Sequence, residues 1–282
     1  MTGWDTLVQA EDLARALGRD DVAVVDCRFS LADPQAGERA YAQAHVPGAV
    51  YAHLDRDLSD HSKQGQGRHP WPEAADFTAK LGAWGIGPQT QVVAYDDADG
   101  AYAARFWFLL QALGHRRAAV LDGGWARWNA LGLPVETDIR TPVRTDYEAE
   151  FDADRLLDAV RVQAHLDAGG LLVDARAAER FRGETEPLDR VAGHVLGARN
   201  RPYALNLADG RFKPRERLAQ EFRELLRDSD PREMVAMCGS GVTACHHLLA
   251  MAYAALPGAK LFTGSWSGWI SDPKRPVATG PE

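Results

Sequence analysis

A degenerate internal repeat constrains the fold of this chain more than any bulk property. Val22-Ala-Val-Val-Asp26-Cys-Arg28, followed by Ala44-His45-Val-Pro-Gly48-Ala49, has a counterpart in the second half. There the chain reads Leu171-Leu-Val-Asp174-Ala-Arg176 and then Gly193-His194-Val-Leu-Gly197-Ala198. Val92-Val-Ala-Tyr-Asp96 answers Met234-Val-Ala-Met-Cys238, and Leu121-Asp-Gly-Gly-Trp125-Ala-Arg-Trp128 answers Phe262-Thr-Gly-Ser-Trp266-Ser-Gly-Trp269. Pro134-Val135 and Pro276-Val277 close the two copies. The same markers in the same order predict two similar domains, which suits a chain of 282 residues.

Within each copy, short apolar runs end in a polar or glycine residue and lead into helical patterns. Residues 22–27, 91–96 and 118–122 read as buried strands, as do 171–175, 233–237 and 259–263. Residues 100–113 and 242–256 read as helices with a broad apolar face. Strands alternating with helices predict an α/β fold, each domain a mainly parallel sheet flanked by helices. The polar, aperiodic stretch around Pro142 reads as a connection. The expected organisation is 1–140 for the first domain, 141–152 for the linker and 153–282 for the second domain.

A net charge of −8 argues against a nucleic-acid partner, because phosphate binding needs a basic surface. No apolar run is long enough to span a bilayer, and the N-terminal residues lack a basic-then-apolar leader pattern. The three cysteines, Cys27, Cys238 and Cys245, form no C-x-x-C pair and suit a reducing cytoplasm. Neither ligand spacing for a metal nor a nucleotide-binding motif is visible, so no cofactor is expected.

The chemistry concentrates at Cys238-Gly-Ser-Gly-Val-Thr243. A buried strand ends at the cysteine, a glycine-rich turn follows, and a helix begins. Small residues let successive N–H groups point at the sulfur, and the helix N-terminus adds its positive end. Both favour the thiolate. A cysteine phosphatase would need an arginine six residues on to clamp phosphate, and Ala244 stands there. The first copy has Asp96 where the second has Cys238, and a carboxylate cannot carry a transferable sulfur. Arginines at 176, 180, 182, 190, 199 and 201 suggest an anion site in an otherwise acidic chain. Arg176 is expected to pack locally like Arg28, while Arg182, Arg199 and Arg201 read as solvated surface. His45 and His194 recur in both copies, including the one without a nucleophile, and are expected to be structural. Cys27 and Cys245 read as core filler, and His246 and His247 as packing or surface residues.

The Cys238–Thr243 loop resembles the active-site loop of tandem rhodanese-domain enzymes, in the version typical of 3-mercaptopyruvate sulfurtransferases. The D-x-R and H-V-x-G-A motifs of both copies and Gly264-Ser-Trp-Ser-Gly-Trp269 extend this resemblance to nearly the whole chain. It implies two rhodanese-like domains, the first inactive, and a sulfur carried as a persulfide on Cys238. It implies a donor site formed by Gly239, Gly241, Val242 and Thr243 with Arg180, in Glu179-Arg180-Phe181, and Arg190, reached across a one-residue insertion. It further implies an Asp55–His69–Ser240 relay that handles the proton of the leaving group. The partners it implies are a small anionic sulfur donor and a thiol acceptor such as thioredoxin or glutathione, or cyanide. Thiosulfate as donor, and a non-catalytic rhodanese-like binding module, are the alternatives. Family members that use thiosulfate usually carry basic residues where this chain has Gly239 and Ser240.

Overall fold

The computed structural model describes residues 3–281. The chain divides into two compact units. The first comprises residues up to Asp60 with Pro72–Asp152 and Asp209–Arg211; the second comprises His61–Trp71, Ala153–Ala208 and the residues from Phe212 onward. The stretch 141–152, read above as a connection, runs along the first unit. The Thr145 amide donates to Gly82 (3.0 Å) and the Asp152 amide to Ala112 (2.8 Å), while Tyr147 Oη bonds His115 Nδ1 at 2.9 Å.

Each unit is built on a five-stranded sheet, and the strand order is the same in both. In the first, it runs Leu7–Val8, Ala118–Leu121, Gln91–Tyr95, Val22–Asp26, Val50–Tyr51. In the second, it runs Leu156–Leu157, Lys260–Phe262, Val235–Met237, Leu172–Asp174, Arg199–Asn200. Every pairing within these sheets is parallel. The apolar runs are strands because both faces are covered: Val92, Val93 and Ala94, and likewise Val235, Ala236 and Met237, are almost wholly buried. The helices that follow the central strands, Ala101–Ala112 and Ala244–Tyr253, are buried on nearly every side. No described helix is long and apolar enough to cross a membrane.

The repeated motifs prove to be repeated fasteners. Asp26–Arg28 and Asp174–Arg176 are buried ion pairs, with Nη2 to Oδ2 distances of 2.6 and 2.7 Å. Each arginine also donates to the carbonyl just before the repeated histidine, Ala44 and Gly193 respectively. Each guanidinium lies on a tryptophan, Trp125 at 4.6 Å and Trp266 at 4.7 Å. Trp128 and Trp269 donate their indole N–H to the carbonyls of Pro134 and Pro276. His45 and His194 are buried, bonded through Nδ1 to the carbonyls of Tyr41 and Phe181, and stacked on those same rings. Their role is structural in both copies.

Candidate active site

Cys238 follows the central strand of the second sheet, at the carboxyl end where open parallel sheets place their ligand sites. The residue is buried, and the Gly241 amide donates to its Sγ at 3.2 Å. Gly241 sits at φ +76°, a left-handed conformation that a side chain would resist. This turn aims the amide inward. The loop is tied from below: the Trp266 amide donates to the Cys238 carbonyl and the Ser267 amide to the Gly239 carbonyl. The Cys238 amide itself donates to Ser265 Oγ at 3.1 Å. Ser265 holds φ +48°, where the first copy has Gly124 at φ +54°. A left-handed non-glycine residue costs on the order of 1–3 kcal/mol. Its hydroxyl fixes the nucleophile's backbone.

The segment 61–71 brings further groups to this loop within the second unit. His69, buried, places Nδ1 2.8 Å from Ser240 Oγ. The segment packs tightly on Gly264–Gly268: a Cβ on Gly67 would lie 2.6 Å from the Gly264 carbonyl oxygen. The Arg68 amide donates to Ser267 Oγ, and Ser271 Oγ donates to the Gly65 carbonyl. Asp55 belongs to the first unit, half-buried on the short helix Leu54–Asp57, with its amide donating to His53 Nδ1.

Two guanidinium groups overhang Gly239. The position of an added Cβ there is 3.2 Å from Arg68 Nη2 and 3.7 Å from Arg180 Nη2. Both arginines bond Asp189, Arg68 at 2.7 Å and Arg180 at 3.4 Å, and Arg180 also bonds Glu186 at 2.6 Å. Burial pushes the Glu186 carboxyl up. The Arg180 hydrogen bond, with the Leu188 and Asp189 amides, more than offsets this and leaves it below its usual range. Arg190 is exposed and donates to the Ile270 carbonyl; Arg182 pairs with Glu184. Val242 is buried and Thr243 precedes the helix Ala244–Tyr253.

One surface expectation is corrected. Arg201 is buried, because Glu221 at 2.9 Å and the Asn206 amide oxygen satisfy its guanidinium, which lies over the Phe222 ring. His246 and His247 are also buried, both bonded to Asn206 Nδ2. Cys27 and Cys245 are buried core residues. Burial above all, then the charges of Asp26, Asp96 and Asp57, pushes the Cys27 thiol well above its ordinary range and leaves it unreactive. Among the described residues, no group of three or more His, Cys, Asp or Glu side chains is arranged to hold a metal ion.

The model of the rhodanese-like domain matches residues 9–131 and again 158–272. The chain belongs to the rhodanese family. A rhodanese relative from Pseudomonas aeruginosa, a probable 3-mercaptopyruvate sulfurtransferase, is 50% identical over 97% of this chain and 98% of that one. The putative thiosulfate sulfurtransferase SseB of Mycobacterium tuberculosis is 41% identical, over 97% of both chains. Among solved rhodanese structures, SseA from Escherichia coli, a 3-mercaptopyruvate enzyme, superposes with a TM-score of 0.81 at 28% identity, covering 94% of this chain and all of that one. This rhodanese-family chain is a sulfurtransferase enzyme, taking sulfur from a donor and passing it to an acceptor.

Residues that sequence reasoning passed over are Arg68, Asp189, Glu186 and Ser265. Arg68 was visible only as the neighbour of His69. The one available signal was the pair Gly65 and Gly67, which let its loop close on the second unit.

Proposed function

We propose that Cys238 takes a sulfane sulfur from 3-mercaptopyruvate and delivers it to a thiol or cyanide. The observation that carries this reading is the Cys238 loop: its sulfur receives a loop amide, its Gly239 lies beneath two guanidiniums, and its Ser240 hydroxyl pairs with an imidazole. The Cys238 thiolate attacks the donor sulfur. A sulfur–sulfur bond forms, the donor's carbon–sulfur bond breaks, and its electron pair leaves on the enolate of pyruvate. The enolate takes one proton, and the persulfide stays on the protein. Ser240, hydrogen-bonded to His69, stands next to the nucleophile and is suited to pass that proton. Asp55 is retained as the expected third member of the relay. Gly239, Gly241, Val242 and Thr243 form the loop wall, with Arg180 and Arg190 as the sequence-derived donor ligands. The second domain, 153–282, then carries the nucleophile; the first, 1–140, has none, although segment 61–71 within it brings His69 to the Cys238 loop.

An acceptor thiolate, thioredoxin or glutathione in a reducing cytoplasm, attacks the outer sulfur and releases the Cys238 thiolate. Cyanide does the same and leaves as thiocyanate. Intact mass after exposure to donor should show a species heavier by about 32 Da, one sulfur atom. Cys238→Ser should abolish it and lower turnover about a thousandfold or more. Turnover retained by that variant would end this reading.

Thiosulfate is the alternative donor, the one in the name of the 41% identical putative thiosulfate sulfurtransferase. Comparing kcat/KM for the two donors separates them, and a tenfold preference for thiosulfate (about 1.4 kcal/mol) would reverse the assignment.

A further inference from the structure

We propose that Arg68 is a further guanidinium of the donor site, standing beside Arg180, and that Asp189 sets the charge of the donor it accepts. This rests on the sulfur-transfer reading above and goes past it to a specificity device. Gly239 leaves open the space where a basic loop side chain would stand, and Arg68 fills it from segment 61–71, with Nη2 3.2 Å from the Cβ position. Its backbone is anchored by Ser267, so the guanidinium is presented from a fixed base. Its buried Nε has no hydrogen-bond partner among the described residues. A group with a fork of donors and one donor unspent is built to receive another acceptor.

Arg68 and Arg180 both reach Asp189, and Arg180 also reaches Glu186. Two cations are therefore matched by two carboxylates before any donor arrives. A site already neutral tolerates one added negative charge better than two, because each further anion is held by the same shared hydrogen bonds. The donor carboxylate of 3-mercaptopyruvate brings one charge; thiosulfate brings two. Asp189 thus selects the monoanion, and Arg68 with Arg180 forms the fork that receives it.

The test uses the full chain, with dithiothreitol as acceptor and both donors in turn. In a two-step exchange, donor kcat/KM and acceptor kcat/KM report separate half-reactions. Arg68→Met should lower donor kcat/KM for 3-mercaptopyruvate by about thirtyfold or more, with acceptor kcat/KM within about twofold of the unmodified enzyme. Arg68→Lys, which keeps the charge without the fork, should recover part of that loss. Asp189→Asn should raise the thiosulfate-to-mercaptopyruvate ratio of kcat/KM by about tenfold. Donor kcat/KM unchanged in Arg68→Met, or a ratio unmoved in Asp189→Asn, would overturn the assignment while the unmodified enzyme still forms its persulfide. Failure of the unmodified enzyme to load sulfur from either donor would instead remove the underlying reading, and this one with it.

Discussion

Asp96 and Cys238 stand at the same point of one scaffold built twice. Each follows the central strand of its sheet, and each carbonyl accepts the amide of the first tryptophan of its closing motif, Trp125 or Trp266. The next carbonyl, of Asp97 or Gly239, accepts from the residue after that tryptophan. The difference lies in what the loop amides hold. In the first copy the Asp96 carboxylate takes the amides of Gly100, Tyr102 and Ala103 at 2.9 to 3.1 Å. The chain's own anion fills the nest. In the second copy the Gly241 amide meets a sulfur, and guanidiniums rather than carboxylates overhang the loop. A shared backbone therefore does not suffice for chemistry. The side chains that reach the loop decide whether it reacts.

If that is so, moving the nucleophile alone should fail, and this is the largest effect expected. Asp96→Cys in a Cys238→Ser background should keep sulfur transfer at least about a thousandfold below the unmodified enzyme. Thiocyanate release with cyanide measures it. Recovery to within tenfold would break the contrast, since it would mean that any cysteine on this scaffold is competent.

The fasteners sharpen the comparison from the opposite side. Arg28→Met and Arg176→Met each leave a buried aspartate without its partner and should cost about 3–5 kcal/mol by denaturant unfolding. The two should part company in kinetics. Arg176 also lies 3.4 Å from Glu186, which holds Arg180, so Arg176→Met should raise donor KM while Arg28→Met leaves it alone. Equal KM changes would show that the second copy's pair has no link to the donor site.

The smallest effect concerns Asp96 itself. Burial first, then the neighbouring Asp99 charge, pushes its carboxyl from 3.8 up to about 7 against the pull of its three amides. The folded chain thus holds this proton to higher pH than the unfolded chain does. The resulting stability is complete below the unfolded value near 3.8 and is lost as pH rises to about 7. Asp96→Asn cannot titrate. Its thermal midpoint relative to the unmodified chain should rise between about pH 5 and pH 7 and then level off, for a few kcal/mol at most. A difference flat in pH would show that Asp96 is ionised throughout.

Much of this architecture was legible because the repeat was. The runs at 91–96 and 233–237 are apolar on both faces, and a doubly covered parallel strand leaves that mark. His45 and His194 could be recognised as structural by symmetry alone. The edge strands could not be read: Leu7–Val8 and Leu156–Leu157 are two residues each, too short for any period to show. Arg201 misled because an arginine's burial depends on partners, Glu221 and Asn206, that lie 20 and 5 residues away. Arg68 was hidden for a related reason. Its closeness to Gly239 comes from a loop folding back over a motif 199 residues distant, and apart from Gly65 and Gly67 the local sequence carries no trace of that.

Segment 61–71 clusters with the second unit although the first unit continues after it, and Asp209–Arg211 makes the converse excursion. The two halves have thus traded pieces of themselves. A gene cut between Asp152 and Ala153 would yield a fragment holding Cys238 but stripped of Arg68 and His69. The repeat without a nucleophile cannot be shed, because part of the other copy's equipment is encoded inside it.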